Sequence, residues 1–297
     1  MIIHIPMKPI SETDLILNED GSAYHLNLLP GEVADTIITV GDQDRVADVS
    51  KYFDSIELIK GKREFITHTG YIGNKRISVV STGIGTDNID IVLNELDALV
   101  NINFETRLPH PQLKKLNVIR IGTSGAVQPD IAVDSLLVSS AAFGLDTLGS
   151  FYRQRYTDYE SELIESFTSL FTGKQTLNPY FAAADDRLMD LLAQGIQQGI
   201  TLTAPGFYSP QARQVRANSA IPNLMEIIAG FNAGNLRITN LEMETAGIYD
   251  LAKILGHRAI SFNVILANRA NNQFSRNPKM IMDNYIRQLI DKISGIL

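Results

Sequence analysis

The feature that most constrains the fold is a regular alternation of short apolar runs with segments of helical periodicity. Five apolar runs predict buried strands, at 35–41, 76–85, 117–126, 134–143 and 258–267. Apolar residues recur at helical spacing over 44–53, 87–100, 159–171, 186–196, 244–256 and 278–293. Strands that alternate with helices in this way are typical of an α/β fold with a central, largely buried sheet.

The chain is expected to form one domain over residues 1–297. It is 44% hydrophobic, which is ample for a large core, and no repeat or linker-like shift in composition divides it. Pro6 and Pro9 predict an irregular lead-in over 1–24, and two prolines with mixed charge predict a surface loop over 101–117.

Composition and charge exclude several classes of protein. The chain has no cysteine, so it has no disulfide, thiolate zinc site or cysteine nucleophile. Its net charge of −7 argues against a nucleic-acid partner, and its five scattered histidines form no pair at metal-ligand spacing. No run of about 18 apolar residues predicts a membrane span, and the N-terminus does not resemble a signal peptide. We therefore expect a cytoplasmic protein.

Three of the predicted strands run into glycine-bearing turns, at 40–45, 81–86 and 121–126. Ligands of open α/β folds collect at the carboxyl ends of strands, where glycine lets backbone amides approach an anion. Each turn alone fits ordinary strand-to-helix geometry better than a binding site. No turn matches a Walker A loop or a full dinucleotide fingerprint, which argues against a nucleotide-dependent oxidoreductase.

Arginines accompany these turns. Arg45 follows Gly41 by four residues, Arg120 lies inside the apolar run before the third turn, and Arg269 follows the last predicted strand. Burying an arginine is costly unless it is paired. Arg120 therefore predicts either an internal salt bridge or a contact with phosphate or sugar hydroxyls, and both interpretations stay open.

Two further stretches carry polar side chains with more than one interpretation. In "FYSPQAR" (207–213), an amide beside a guanidinium would match the hydrogen-bonding edge of uracil, although an exposed polar loop is the commoner structure. In "TNLEMETAG" (239–247), Glu242 and Glu244 stand where a helix is predicted to begin, with Thr239 or Asn240 as its cap. Acidic residues favour a helix start, so these carboxylates fit either a solvated first turn or a ligand contact.

The order of the motifs is more specific than any one of them. The series "HLNL", "VGDQDRV", "KREF", "STGIG", "IRIGTSGA", "FYSPQAR", "NLEMETAG", "GHRA" and "NR" resembles the nucleoside phosphorylase family over roughly residues 25–290. The resemblance implies a single α/β domain whose central mixed, partly barrel-like sheet is flanked by helices. It also implies a pentosyltransferase that cleaves a nucleoside with inorganic phosphate, giving ribose 1-phosphate and a free base.

The resemblance implies a phosphate site that two subunits share. The residues that it assigns to phosphate within one chain are Gly41, Arg45, Arg120 and Thr123. Arg63 resembles an arginine that reaches into a neighbouring subunit's phosphate site, and His25 resembles a histidine that contacts the sugar 5′-hydroxyl across the same interface. At least a homodimer follows, and the choice between dimer and hexamer stays open.

The resemblance also assigns the nucleoside contacts. Met243 and Glu244 match the ribose-binding pair, with Glu242 close by. The residues that match the uracil-binding set are Phe207, Gln211 and Arg213, with Arg269 near the base pocket. The catalytic roles are thereby assigned to Arg120, Gln211, Arg213 and Glu244.

The choice of base rests on two points, of which one is that Gln211 and Arg213 match the pyrimidine-specific members and the other is a single position. Purine-specific members place an aspartate after the strand that ends near Ala267, whereas this chain has Asn268 and Arg269 there. The resemblance therefore favours uridine, with thymidine and deoxyuridine as further candidates. A purine nucleoside phosphorylase, a nucleosidase that uses water, and a non-catalytic nucleoside-binding protein are the alternatives.

The resemblance implies no cofactor apart from phosphate as co-substrate. Glu64 and Ser81 match positions at which some relatives bind a monovalent cation such as K+. The chain departs from the family at Val40 and Gln43, where prolines are common, and at Asp87, which would stand near the anion site or cap the following helix.

Overall fold

The computed structural model describes residues 8–171, 177–234 and 236–296. The strands are β1 (Thr36–Val40), β2 (Ser55–Lys62), β3 (Phe65–Ile72), β4 (Lys75–Ser81), β5 (Ile102–Asn103), β6 (Leu108–Pro109), β7 (Asn117–Ala126), β8 (Leu136–Gly144), β9 (Tyr180–Ala183), β10 (Gln197–Thr203), β11 (Asn232–Ala233), β12 (Leu236–Glu242), β13 (Arg258–Asn268) and β14 (Gln273–Phe274). The α-helices are α1 (Asp44–Ser50), α2 (Thr86–Asn101), α3 (Asp158–Ser169), α4 (Asp186–Leu192), α5 (Leu224–Gly230), α6 (Thr245–Leu255) and α7 (Pro278–Ile296).

A closed barrel of five strands forms the centre of the molecule. Strand β7 pairs with β13 in parallel and with β12 in antiparallel orientation. Strand β10 lies in parallel between β8 and β12, and an antiparallel β8–β13 pairing completes the ring. From β7 the sheet continues outward through β1, β4, β3 and β2. The mixed, partly barrel-like sheet implied by the family resemblance is confirmed.

The helices cover the sheet with their apolar faces. Helices α2 and α6 pack together over one core, while α1, α4 and α7 cover a second one on the opposite side. A third core, with Phe143, Phe167 and Phe231 in mutual ring contact, lies under α3 and α5. Burying each such large side chain contributes roughly 1.5–3 kcal/mol, which makes the barrel a firm support for polar groups.

The five strands and six helices predicted from periodicity are all present, with ends that differ by a few residues. Two predictions about helix starts were wrong. Thr239 and Asn240 do not cap α6, because they lie inside β12. Asp87 is not a cap either, since Gly85 with φ of 97° occupies the N-cap of α2 and Asp87 lies exposed in the first turn.

Periodicity did not predict the β2–β3 hairpin, the strands β9, β10, β11, β12 and β14, or helix α5. Strand β2 is an edge strand that is exposed along most of its length, so its residues carry no alternating pattern. Inside the predicted surface loop 101–117, β5 and β6 form a small antiparallel pair. The described part of the lead-in, from residue 8, consists of turns and a single Leu17–Ala23 bridge, and residues 1–7 lie outside the described ranges. Within those ranges, no helix has the length and apolarity to cross a membrane.

Candidate active site

A cavity of about 800 Å³ opens at the carboxyl ends of the barrel strands. Its wall is formed by the turns after β1 and β4, the second half of β7, the end of β12 with residues 243–244, and the 207–213 loop after β10. This is the edge of the sheet at which α/β folds bind ligands, because strand ends and helix starts meet there.

Arg120 is a buried positive charge in the cavity wall. It stands on β7 with only 5% of its surface exposed. Its Nη2 donates to Glu244 Oε2 at 2.6 Å and lies 2.9 Å from Glu242 Oε2, while its Nη1 donates to Asn263 Oδ1 at 2.9 Å. Burial lowers the pKa of Arg120, but the two carboxylates raise it above its ordinary value, so the guanidinium stays charged.

Gly122 makes room for this guanidinium. It lies two residues after Arg120 on β7, and so on the same face of the strand. A Cβ atom at Gly122 would come within 2.0 Å of Arg120 Nη1 and 2.4 Å of its Cζ. The turn predicted at 121–126 was wrong, because the whole segment lies within β7, and Gly122 is required there by the side chain of Arg120.

Glu242 supports the start of α6. Its carboxylate accepts hydrogen bonds from the backbone amides of Glu244 and Thr245, at 2.9 and 3.0 Å, and from Thr203 Oγ1 at 2.7 Å. These donors and the Arg120 guanidinium engage both carboxylate oxygens. The N-cap position of α6 is Glu244, and the Glu242 carboxylate, rather than Thr239 or Asn240, accepts the first backbone amides at this helix start.

Glu244 differs from Glu242 in its surroundings, although both line the cavity. Its Oε1 accepts the backbone N–H of Gly85 at 2.8 Å, and its Oε2 accepts from Arg120. Burial raises the pKa of Glu244 above its ordinary value, and the nearby Arg120 only partly offsets this effect. Met243 lines the cavity beside it. A fixed carboxylate next to an apolar side chain is an arrangement suited to sugar hydroxyls.

Arg45 supplies a second positive charge to the cavity. Its side chain is half-buried, and no residue in the described part of the chain accepts a hydrogen bond from it or forms an ion pair with it. Burial lowers its pKa, and Asp42 acts in the opposite direction. The cavity wall also includes Gly41 and Thr123. A half-buried guanidinium without a carboxylate partner is a site for an anion.

The 207–213 loop brings an amide and a guanidinium to the other part of the wall. Gln211 is buried, and its Oε1 accepts from Arg213 Nη1 at 2.5 Å. The same Arg213 nitrogen donates to the Phe207 carbonyl at 2.8 Å, and the guanidinium stacks 3.8 Å from the centre of the Phe207 ring. Burial, together with the charge of Arg269, lowers the pKa of Arg213. The Gln211 Nε2 group and the remaining Arg213 donors are thus available to a ligand.

Arg269 holds this loop in place. Its guanidinium donates to the carbonyl oxygens of Gln211 and Ala212, at 2.9 and 3.1 Å. It therefore contacts the 207–213 loop through the loop backbone and does not itself line the cavity.

His25 and Arg63 lie outside the cavity of their own chain. His25 Nδ1 is 2.7 Å from Glu95 Oε1, and Arg63 is exposed at the β2–β3 turn, 5.8 Å from the ring centre of Tyr24. Asp87, expected near the anion site, does not line the cavity.

The two residues expected near a cation are only partly available. Glu64 lines the cavity, but the Ser81 hydroxyl donates to the Glu64 carbonyl at 2.6 Å and accepts from the Ile66 amide at 2.7 Å. Over residues 8–171, 177–234 and 236–296, no three acidic or histidine side chains converge in a way that could hold a metal ion.

The sequence analysis missed several residues of the site. Asn88 and Phe274 line the cavity, and Asn263 contacts Arg120 from within the barrel. Asn263 stands in an otherwise apolar predicted strand, and that polar interruption was the available signal. Asn268 is turned away from the cavity, since its Nδ2 donates to the carbonyls of Gln128 and Ile131 at 2.9 and 2.7 Å.

The site combines a barrel, two paired carboxylates, an edge formed by an amide and a guanidinium, and Arg45, which has no ion-pair partner in the described residues. An α/β site of this kind can hold an anion beside a polar ligand. The profile of the phosphorylase superfamily matches residues 35–288. The chain belongs to that superfamily, and the resemblance found in its motifs is confirmed.

Individual relatives add detail. A uridine phosphorylase of Thermococcus kodakarensis is 31% identical over 259 residues, which span 87% of this chain and 82% of the relative. A DeoD-type purine nucleoside phosphorylase of Chromobacterium violaceum is 29% identical over 237 residues, 80% of this chain and 82% of the relative. A nucleoside phosphorylase of Trypanosoma brucei, described as showing uridine phosphorylase activity, superposes with a TM-score of 0.86 at 28% identity, covering 95% of this chain and all of the other.

Proposed function

We propose that the chain is a uridine phosphorylase, which converts uridine and inorganic phosphate into uracil and ribose 1-phosphate. The observation that carries the proposal is one cavity that combines Arg45, without an ion-pair partner in the described residues, with the Gln211–Arg213 edge. The first group suits a phosphate dianion, and the second suits the carbonyl oxygens of a pyrimidine.

In the proposed reaction, Arg45, Arg120, Thr123 and the Gly41 backbone hold phosphate against the sugar. Holding both reactants in attack geometry supplies much of the rate. As the glycosidic bond stretches, positive charge develops on the ribose, where Glu244 and the phosphate stabilise it. Negative charge moves to the base, where Gln211 and Arg213 donate to the uracil oxygens. Each preorganised donor of this kind contributes about 3 kcal/mol to transition-state stabilisation.

The pyrimidine base is favoured over a purine by Asn268. Purine-specific members of the family place an aspartate near this position, whereas the amide of Asn268 is buried and its nitrogen is engaged by two backbone carbonyls. Among the alternatives, a nucleosidase would have no need for a second arginine such as Arg45 in the cavity.

The proposal includes a homo-oligomer whose subunits complete one another's sites. Arg63 and His25 lie outside the cavity of their own chain, as residues that serve a neighbour would. The K+ site near Glu64 and Ser81 and the cytoplasmic location stay predictions.

The test is uridine cleavage with and without inorganic phosphate, with chromatographic detection of uracil and ribose 1-phosphate. Thymidine, deoxyuridine and inosine serve as parallel substrates. We expect phosphate-dependent release of uracil and little cleavage of inosine. Cleavage without phosphate would show a nucleosidase, and absence of cleavage for every substrate would favour a nucleoside-binding protein.

A further inference from the structure

The barrel interior next to Arg120 is polar, and its hydrogen bonds converge on one amide. Asn263 is fully buried on β13, and its Oδ1 accepts from Arg120 Nη1 at 2.9 Å. Its Nδ2 donates to Ser139 Oγ at 2.9 Å and lies 3.3 Å from Ser261 Oγ. Both ends of the amide are therefore engaged, and the oxygen is fixed toward the guanidinium.

A chain of hydrogen bonds extends this contact across the barrel. Ser139 Oγ lies 2.5 Å from Thr201 Oγ1, which donates to Asn240 Oδ1 at 2.9 Å. Asn240 Nδ2 donates in turn to Ser124 Oγ at 2.9 Å, and Ser124 lines the same cavity as Arg120. The network begins at Arg120 and ends at Ser124, which both line the cavity, so it helps to fix the position of the cavity wall.

The charge of the cluster explains why an amide suits this position. Arg120 already faces two carboxylates, so one positive charge opposes two negative ones. A third carboxylate would further weaken the attraction of the guanidinium for an anion, and an apolar side chain would leave Nη1 without an acceptor. A neutral oxygen acceptor avoids both effects.

We infer that Asn263 is a positioning residue for phosphate, which fixes the Arg120 guanidinium from its second terminal nitrogen without adding negative charge. This inference rests on the proposed phosphorolysis. It assigns a role to a side chain that is not exposed in the cavity and that acts on the anion only through Arg120.

The test compares the KM for phosphate with the KM for uridine in Asn263→Ala and Asn263→Asp. In the alanine variant the phosphate KM should rise roughly ten- to hundredfold, the range for a lost hydrogen bond to a charged group, with the uridine KM within about twofold of wild type. In the aspartate variant the acceptor is kept but a charge is added, so the phosphate KM should rise at least as far.

Tyr249→Phe is the matched control. The Tyr249 hydroxyl is another fully buried polar group at this end of the barrel. It donates to the Ser139 carbonyl at 2.7 Å and accepts from the Ser261 backbone amide at 2.8 Å, and within the described residues it forms no hydrogen bond with Arg120 or Asn263. Its removal should lower thermal stability but leave the phosphate KM unchanged. If Asn263→Ala does not fold, Ser139→Ala replaces it, because it frees the amide nitrogen of Asn263 and should shift the phosphate KM in the same direction.

Direct calorimetric binding of inorganic phosphate, without nucleoside, separates the possible failures. A wild-type protein that neither binds phosphate nor uses it would contradict the proposed function. A wild-type protein that binds phosphate, beside an Asn263→Ala protein that binds it equally well, would overturn only the role of Asn263. An equal loss of phosphate affinity in Tyr249→Phe would also overturn it, because the effect would then reflect general loosening of the barrel.

Discussion

The two ends of the cavity are built in opposite ways. At the end where we propose that phosphate binds, here the anion end, Arg120 and the paired glutamates are at most 5% exposed, and hydrogen bonds inside a closed barrel set their positions. At the end where we propose that the base binds, here the base end, Phe207 is 52% exposed, and a loop carries the polar edge of the buried Gln211 and the half-buried Arg213. The first region has few alternative arrangements, whereas the second has room to change.

This difference suggests a division of labour between common chemistry and specificity. Chemistry that requires a charge to be held in a low-dielectric interior depends on groups with no freedom to move. A base pocket on a loop can exchange side chains without disturbing the barrel. Relatives named for uridine and for purine nucleosides, at 31% and 29% identity to this chain, accord with such a division.

The largest effect on activity is expected from Arg120→Ala, which removes the buried guanidinium of the anion end. The change leaves Glu242 and Glu244 buried without their guanidinium, and breaking a buried ion pair costs about 3–5 kcal/mol of stability. Activity should fall by roughly a thousandfold or more. Denaturant unfolding and steady-state kinetics check both values. A destabilised variant with near-normal phosphate KM would show that Arg120 has only a structural role.

Gly122→Ala tests the anion end by displacing the Arg120 guanidinium. The new Cβ would meet Arg120 Nη1, so the guanidinium must shift, and the phosphate KM should rise by about tenfold or more while the uridine KM changes little. Gly125→Ala, on the same strand, is the control. Its nearest neighbour would be Arg269 Cγ at 3.6 Å, an ordinary contact, so a much smaller effect is expected.

Arg213→Ala removes the guanidinium from the polar edge of the base end. Loss of one donor aimed at the developing charge should reduce kcat on uridine by roughly a hundredfold, with phosphate affinity nearly intact. The exposed Arg216→Ala, three residues further along, controls for general effects of charge. Turnover equal to that of wild type in Arg213→Ala would remove this guanidinium from the mechanism.

The smallest effect on activity is expected from Asp250→Asn, which should change the stability of the fold without changing either KM value. Burial raises the pKa of Asp250 to about 6, from an ordinary value of 3.8. The native state thus favours the protonated carboxyl, so its contribution to stability is full below about pH 4 and is lost as the pH rises through about 6. Asp250→Asn should remove this slope and stabilise the protein near pH 7 by about 2 kcal/mol.

Unfolding curves at pH 4 to 8 check this prediction, with the exposed Asp291→Asn as control. Both KM values should stay at the wild-type level in Asp250→Asn. A shift of the phosphate KM would mean that stability of the fold, rather than local contacts, governs the anion end.

The sequence was informative where a pattern is local. Periodicity located the main strands and helices, and the order of the motifs indicated the family and therefore the barrel. The β2–β3 hairpin was missed because an exposed edge strand has no apolar alternation. The contact of Asn263 with Arg120 depends on the pairing of β13 with β7, which local sequence does not encode. For Arg120 the sequence left a salt bridge and an anion contact open, and the structure shows the salt bridge in a cavity wall.

The measurement that tests the division of labour most directly is the pair of KM values, for phosphate and for uridine, in wild type, Gly122→Ala and Arg213→Ala. The account predicts a crossed pattern, in which Gly122→Ala raises the phosphate KM alone and Arg213→Ala impairs only the use of uridine. If each variant changed the KM values for phosphate and for uridine in parallel, the two ends would act as one unit and the account would be contradicted.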